Sequence, residues 1–91
     1  MQQTLKIEID KKTIVSKPFD FEAMCLVNDV YSGATEKGYL SAGRAAVYYM
    51  FEGTEATNDV LNRLSLVEMT KLCTQAWNFY AEAIKESTKN A

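Results

Sequence analysis

The chain has 91 residues, with ten basic and twelve acidic side chains, no histidine, two cysteines and a formal charge of −2. At that length it is one domain that buries little more than about 60% of its unfolded surface, so burial against a partner would stabilise it noticeably. The charge runs +2 over residues 1–17, −5 over 18–62 and +1 thereafter, which argues against a nucleic-acid binder with its concentrated basic face.

Leu5, Ile7 and Ile9 alternate with Lys6, Glu8 and Asp10, the period of two that marks a half-buried strand. Asp10-Lys11-Lys12 is a polar break, and Thr13-Ile14-Val15-Ser16 is rich in β-branched residues. The two runs predict a hairpin over residues 1–17, with a turn that lacks glycine and a second strand ended by Pro18. A lone hairpin is marginal in water. It therefore lies on the helices, or offers a self-association edge carrying Leu5, Ile7, Ile9 and Ile14 to a neighbouring strand.

The helical part is expected over residues 18–87, with 88–91 frayed. Asp20 is a good N-cap for a helix over 21–32, with Phe19 and Met24 spaced as a hydrophobic staple. Ala23, Leu26, Val27 and Val30 form its apolar stripe, widened by Phe21, Met24 and Cys25. Gly33 is placed to stop it, and residues 33–38 read as a loop. Ser41 can cap a second helix that starts at Ala42 and ends at Gly53. Its run Ala45-Ala-Val-Tyr-Tyr-Met-Phe51 has no polar residue, so this helix must be surrounded. Seven residues are far fewer than the roughly 20 that cross a bilayer. A short amphipathic piece over 55–63, with Thr54 as its cap, then precedes a long helix over 66–87. Ser65 and Glu68 are spaced as a capping box for that helix. Leu66, Met69, Cys73, Ala76, Trp77, Tyr80 and Ile84 follow the three-and-four spacing of its buried face. The expected fold is thus α+β and mostly α, an N-terminal β-hairpin followed by three to four helices packed as a small bundle in a single domain, 1–91.

No catalytic constellation is visible. Without histidine the commonest general base and the Ser-His pair are missing, and Cys25 and Cys73 alone are no zinc ligand set. Asp20 and Glu22 stand at a helix start, where the dipole accounts for acids. The glycines match no phosphate loop. The N-terminus alternates polar and apolar residues from Thr4 rather than forming a signal segment. Cys25 and Cys73 are accordingly expected as buried, reduced thiols in a cytoplasmic protein, rather than as a disulfide. Neither catalysis, nor a cofactor or metal, nor nucleic acid, nor a membrane is expected.

Arg44 lies one turn into an apolar helix, so its guanidinium must snorkel, pair with Asp29 or Glu22, or anchor a partner. Tyr48 and Tyr49 point about 100° apart on one helix, as do Phe79 and Tyr80 on another. A domain this thin cannot easily cover all of them. Arg44, Tyr48, Tyr49, Phe51, Trp77, Phe79 and Tyr80 are therefore the candidate protein-binding residues. A basic end and an acidic middle also suit head-to-tail contacts between identical subunits, although an ordinary solvated surface looks the same.

The order of elements, KIEIDKKTIVSKPFDFEAM, then LSAGRAAVYYMFEGTEAT, then NDVLNRLSLVEMTKLCTQAWNFYAEAIK, resembles the small tail assembly chaperones of long-tailed bacteriophages and related prophages. The resemblance spans nearly the whole chain and rests on hydrophobic patterning. It implies a non-enzymatic protein of the bacterial host cytoplasm. Such a protein coats the aggregation-prone tape-measure protein, helps recruit tail-tube protein, and forms homo-oligomers. It also implies a longer product made by ribosomal frameshifting, and Lys89-Asn90 is a dipeptide that a slippery A-AAA-AAC run encodes. The alternative is a small regulatory or adaptor module, anti-repressor or antitoxin-like, that binds a single host protein in a defined stoichiometry.

Overall fold

Alternation at the N-terminus folds as the period of two requires. β1 (Lys6–Ile9) and β2 (Lys12–Val15) pair antiparallel, with Ile7 opposite Ile14 and Ile9 opposite Lys12. Asp10 and Lys11 form the two-residue turn with φ of 51° and 65°, the conformation of a type I′ hairpin. Neither is glycine, and holding a side chain in that region costs roughly 1–2 kcal/mol per residue. The register and the packing beneath it override that local cost. Leu5, Ile7 and Ile14 are buried, so the face expected to serve as a self-association edge is turned inward. Ile9 is half-buried against the same core.

The hairpin is fastened at its base by polar groups. Ser16 Oγ accepts from the Leu5 N–H at 2.8 Å and donates to the Lys17 carbonyl at 2.7 Å. The Lys17 N–H donates to the Met50 carbonyl at 2.8 Å, which ties the sheet to the end of a helix. At the tip, Lys12 pairs with Glu55 at 2.6 Å in the open, a contact worth at most about 1 kcal/mol.

The computed structural model describes residues 3–31 and 38–89. Over these the chain is α+β and mostly helical. Four helices follow the hairpin: α1 (Phe21–Tyr31), α2 (Tyr39–Met50), α3 (Asn58–Asn62) and α4 (Leu66–Lys89). The expected stop at Gly33 and the loop over 33–37 lie outside the described residues, as do the last two residues of the expected frayed tail. The helix itself continues to Lys89.

Asp20 caps α1 as expected, its Oδ1 accepting from the Ala23 N–H at 3.0 Å. Two other boundaries differ from the sequence reading. α2 begins at Tyr39 after Gly38, with no side-chain cap, so Ser41 is a helix-interior residue. Thr57 rather than Thr54 caps α3, accepting from the Val60 N–H at 3.3 Å. Thr54 instead closes the preceding turn, donating to the Phe51 carbonyl and accepting from Ala56. Ser65 accepts from the Glu68 N–H at 3.1 Å, one half of the expected capping box. α2 ends where its sequence predicts, through Phe51 and Glu52 into Gly53 at φ 81°, a conformation that glycine adopts without cost.

α2 is the central element, packed most extensively against α4 and next against α1. Ala42, Gly43, Ala46, Val47 and Met50 are fully covered. The run of small residues has a geometric consequence at Gly43. A Cβ placed there would lie 2.1 Å from the backbone carbonyl oxygen of Cys73. The two helix backbones meet there with no room for a methyl group, and neither can yield by rotating a side chain.

Helix propensity alone makes Gly43→Ala stabilising by about 1 kcal/mol. The clash reverses the sign. Gly43→Ala is expected to lower unfolding stability by about 1–3 kcal/mol, the usual cost of overpacking, read as a lower urea midpoint at unchanged slope. An unchanged or raised midpoint would mean that α2 and α4 do not meet this closely.

Candidate functional site

The seven side chains nominated from sequence do not form one surface. Phe51 is 1% exposed and Tyr80 9% exposed. Both belong to the core, which corrects their assignment to a binding surface. Phe51 lies immediately beyond α2 as its C-cap, within the core cluster. The Tyr80 ring stacks on Trp77 at 5.3 Å, and its hydroxyl donates to Asn28 at 2.9 Å. Phe79 is half-buried, edge-on to Phe19 at 5.7 Å. Tyr48 and Tyr49 rest half-buried against the core with their hydroxyls turned outward to Asn62 and Asp20. Each finds cover for its ring and a partner for its hydroxyl.

Arg44 and Trp77 have a different setting. The seam that Gly43 closes has an outer margin. Leu40, Ser41 and Arg44 flank Gly43 on α2, and Leu66, Met69, Thr70 and Cys73 follow the three-and-four spacing on α4. These seven side chains line an open groove of about 190 Å³. Leu66 is 87% exposed, and Leu40 and the neighbouring Val67 are exposed as well. Exposed apolar side chains grouped in this way mark interaction sites more often than scattered ones. Past Cys73 the seam runs into an aromatic cluster, where Trp77 stacks with Tyr31 at 4.8 Å and with Tyr39 at 6.1 Å. Tyr31 and Tyr39 are exposed along their outer sides.

Arg44 is exposed on the rim of this groove and makes no ion pair with Asp29, Glu22 or any other described residue. The structural pairing weighed from sequence is therefore not formed. Its charge is felt by Cys73, a buried thiol whose pKa is raised by burial and drawn back slightly by the guanidinium. Cys73 is thus held as a thiol, a poor nucleophile. Cys25 is also free and half-buried. Among the described residues no three acidic or sulfur side chains converge to hold a metal ion. No described helix is long and apolar enough to cross a membrane.

Sequence reasoning placed Leu66 on the buried face of α4 and Leu40 ahead of α2. One signal pointed the other way. Leu66 and Val67 are the first two residues of their helix, and a side chain at the end of an element has helix beside it in one axial direction alone. Phe21, placed on the α1 stripe, is likewise 75% exposed.

A polar cluster on the far side of α2 carries the main electrostatic signature. Asp20 accepts from the Ala23 N–H and, at 2.7 Å, from the Tyr49 hydroxyl. Those two donors hold its carboxyl below the ordinary 3.8. The same bond, with burial behind it, pushes Tyr49 up from 10.0 to about 12. Lys17 lies 4.0 Å over the Tyr49 ring, a cation–π contact that joins the hairpin to the same cluster. Because the Asp20 value falls on folding, its contribution is present above 3.8 and lost as acid protonates it. Because the Tyr49 value rises, its contribution is present below pH 10 and lost as the pH approaches 12.

An absorbance titration should accordingly resolve one tyrosine that ionises near pH 12. Asp20→Asn should move it down towards 10 while leaving α1 capped, since asparagine caps as well as aspartate. Persistence of the high step in that variant would contradict the assignment. Comparison of the chain with protein-family models, curated proteins and solved structures finds no match.

Proposed function

We propose that the chain is a non-enzymatic tail assembly chaperone that binds tape-measure protein in the host cytoplasm through the α2–α4 groove. The observation that carries the reading is the exposed apolar margin of the seam, Leu40 and Leu66 beside an Arg44 with no ion-pair partner among the described residues. An aggregation-prone client of helical, apolar character needs such a surface. The aromatic cluster of Tyr31, Tyr39 and Trp77 lengthens it by roughly a helical turn on the α4 side. The resemblance in element order supports the same client. Recruitment of tail-tube protein would use a surface left free once the groove is filled. The lack of histidine and of a catalytic cluster supports a binding role rather than an enzymatic one.

Covering a leucine that stands in water contributes about 1.5–3 kcal/mol. Loss of Leu66 from a filled groove should therefore weaken binding at least tenfold. The residue is the first of α4 and almost fully exposed, so Leu66→Glu should change folding stability by no more than about 0.5 kcal/mol.

Co-expression of the chain with tape-measure protein should keep the client soluble. The Leu66→Glu variant should leave it in the pellet despite an unchanged thermal midpoint. Equal rescue by both would remove the groove from the account. A fixed one-to-one complex with a single folded host protein, without rescue, would favour the regulatory or adaptor reading instead.

A further inference from the structure

We propose that the outer edge of β1 is a strand-addition site for an extended segment of another protein, one in which apolar residues alternate with a basic and then an acidic residue. The site is separate from the α2–α4 groove and shares no lining residue with it.

The Ser16 N–H donates to the Leu5 carbonyl at 2.8 Å, and bonded and unbonded pairs alternate along an antiparallel ladder. Ile7–Ile14 and Ile9–Lys12 are therefore the bonded pairs. The backbone groups of Lys6 and Glu8 point away from β2, and no other described residue hydrogen-bonds to them. A row of free N–H and C=O groups is a template for a further strand. β2 has an outer edge as well, but Lys11, Lys12 and Lys17 flank it and Pro18 closes it, the residues with which proteins blunt an edge.

α4 runs beside β1, and the Gln3 side-chain amide reaches it by donating to Glu82 at 3.0 Å. An open hollow of about 240 Å³ separates the two elements, lined by Lys6, Ile7 and Glu8 on β1 and by Lys71, Leu72 and Gln75 among others on α4. A paired strand lies about 4.8 Å from its neighbour, so an added segment fills this hollow. Ile7 and Leu72 are buried, and inward-pointing apolar side chains of the segment extend that contact.

Charge fixes the sequence of the occupant. Lys6 and Glu8 are exposed, and neither has an ion-pair partner among the described residues. Directly opposite residues of an antiparallel pair share a face and interact. A basic residue therefore belongs opposite Glu8 and an acidic one opposite Lys6, with apolar residues opposite Ile9, Ile7 and Leu5. Read from its N-terminus, the occupant is apolar, basic, apolar, acidic, apolar.

The probe is the blocked peptide acetyl-Val-Lys-Val-Glu-Val-amide, added to the intact chain. Without it, the Lys6 and Glu8 amides should exchange rapidly with solvent while those of Ile7 and Ile9 are protected. Saturating peptide should slow exchange at Lys6 and Glu8 at least tenfold. Methylating the Lys and Glu backbone nitrogens of the peptide, the two that donate to β1, should abolish the effect. The isomer Val-Glu-Val-Lys-Val, blocked in the same way, should bind about threefold or more less tightly, because both charge pairs are then mismatched. The double variant Lys6→Glu, Glu8→Lys should invert that order with far-UV circular dichroism unchanged. Leu66→Glu should bind the peptide as the unaltered chain does, so this site and the client reading fail or stand separately. Amides of Lys6 and Glu8 that stay fast, or a preference that the double variant leaves as it was, overturns the proposal. So does protection already present without peptide and lost on dilution, the mark of a second copy on the edge.

Discussion

Everything in this fold is positioned by the approach of α2 to α4 at Gly43, where a helix backbone rests against the Cys73 carbonyl. Interiors pack at close to crystal density and do not deform continuously, so a contact with no side chain in it fixes the helix pair tightly. Ala42 and Ala46 keep the same seam narrow on either side and are fully covered. α1 then closes α2 from another direction, and the Lys17–Met50 hydrogen bond seats the hairpin on its end. A helix with almost no polar face is surrounded by three elements within one chain.

That solution has a cost in coverage. The described residues cover one side of the α2–α4 pair and leave the other open. The side facing α1 and the hairpin is dry, and the opposite margin is left with Leu40, Leu66 and Arg44 in the open. The last turn of α2 makes the contrast plain. There Tyr48 and Tyr49 are equally large, but their hydroxyls bond Asn62 and Asp20 and their rings lie on the core. Aromatic side chains with a polar end can finish a surface, whereas leucine cannot. The groove is therefore one place among the described residues where apolar surface remains uncovered.

The hairpin, the four helices and the Asp20 and Ser65 caps were legible in the sequence, because period and capping chemistry are local. What failed was the sorting of large side chains between inside and outside. Phe51 reads as the end of an apolar stripe, but as the C-cap of α2 it is 1% exposed within the core, a consequence of tertiary packing rather than of period. Tyr80 was separated from Tyr49 by a partner 52 residues away, Asn28, which accepts its hydroxyl. Leu66 matched the α4 stripe by spacing, yet the helix begins beyond the reach of any described neighbour that could cover it. Arg44 was recognised as unusual, but that it pairs with neither Glu22 nor Asp29 depends on how α1 packs. The aromatic cluster joins residues of three helices and had no signature in the chain order.

The most direct measurement is a map of which amides of an isotopically labelled chain shift when a soluble segment of tape-measure protein is added. The account predicts changes confined to residues 39–44 and 66–77, with Arg44 and Leu66 among the largest. Shifts that cluster instead around Tyr48, Tyr49 and the hairpin, leaving the groove untouched, would contradict it.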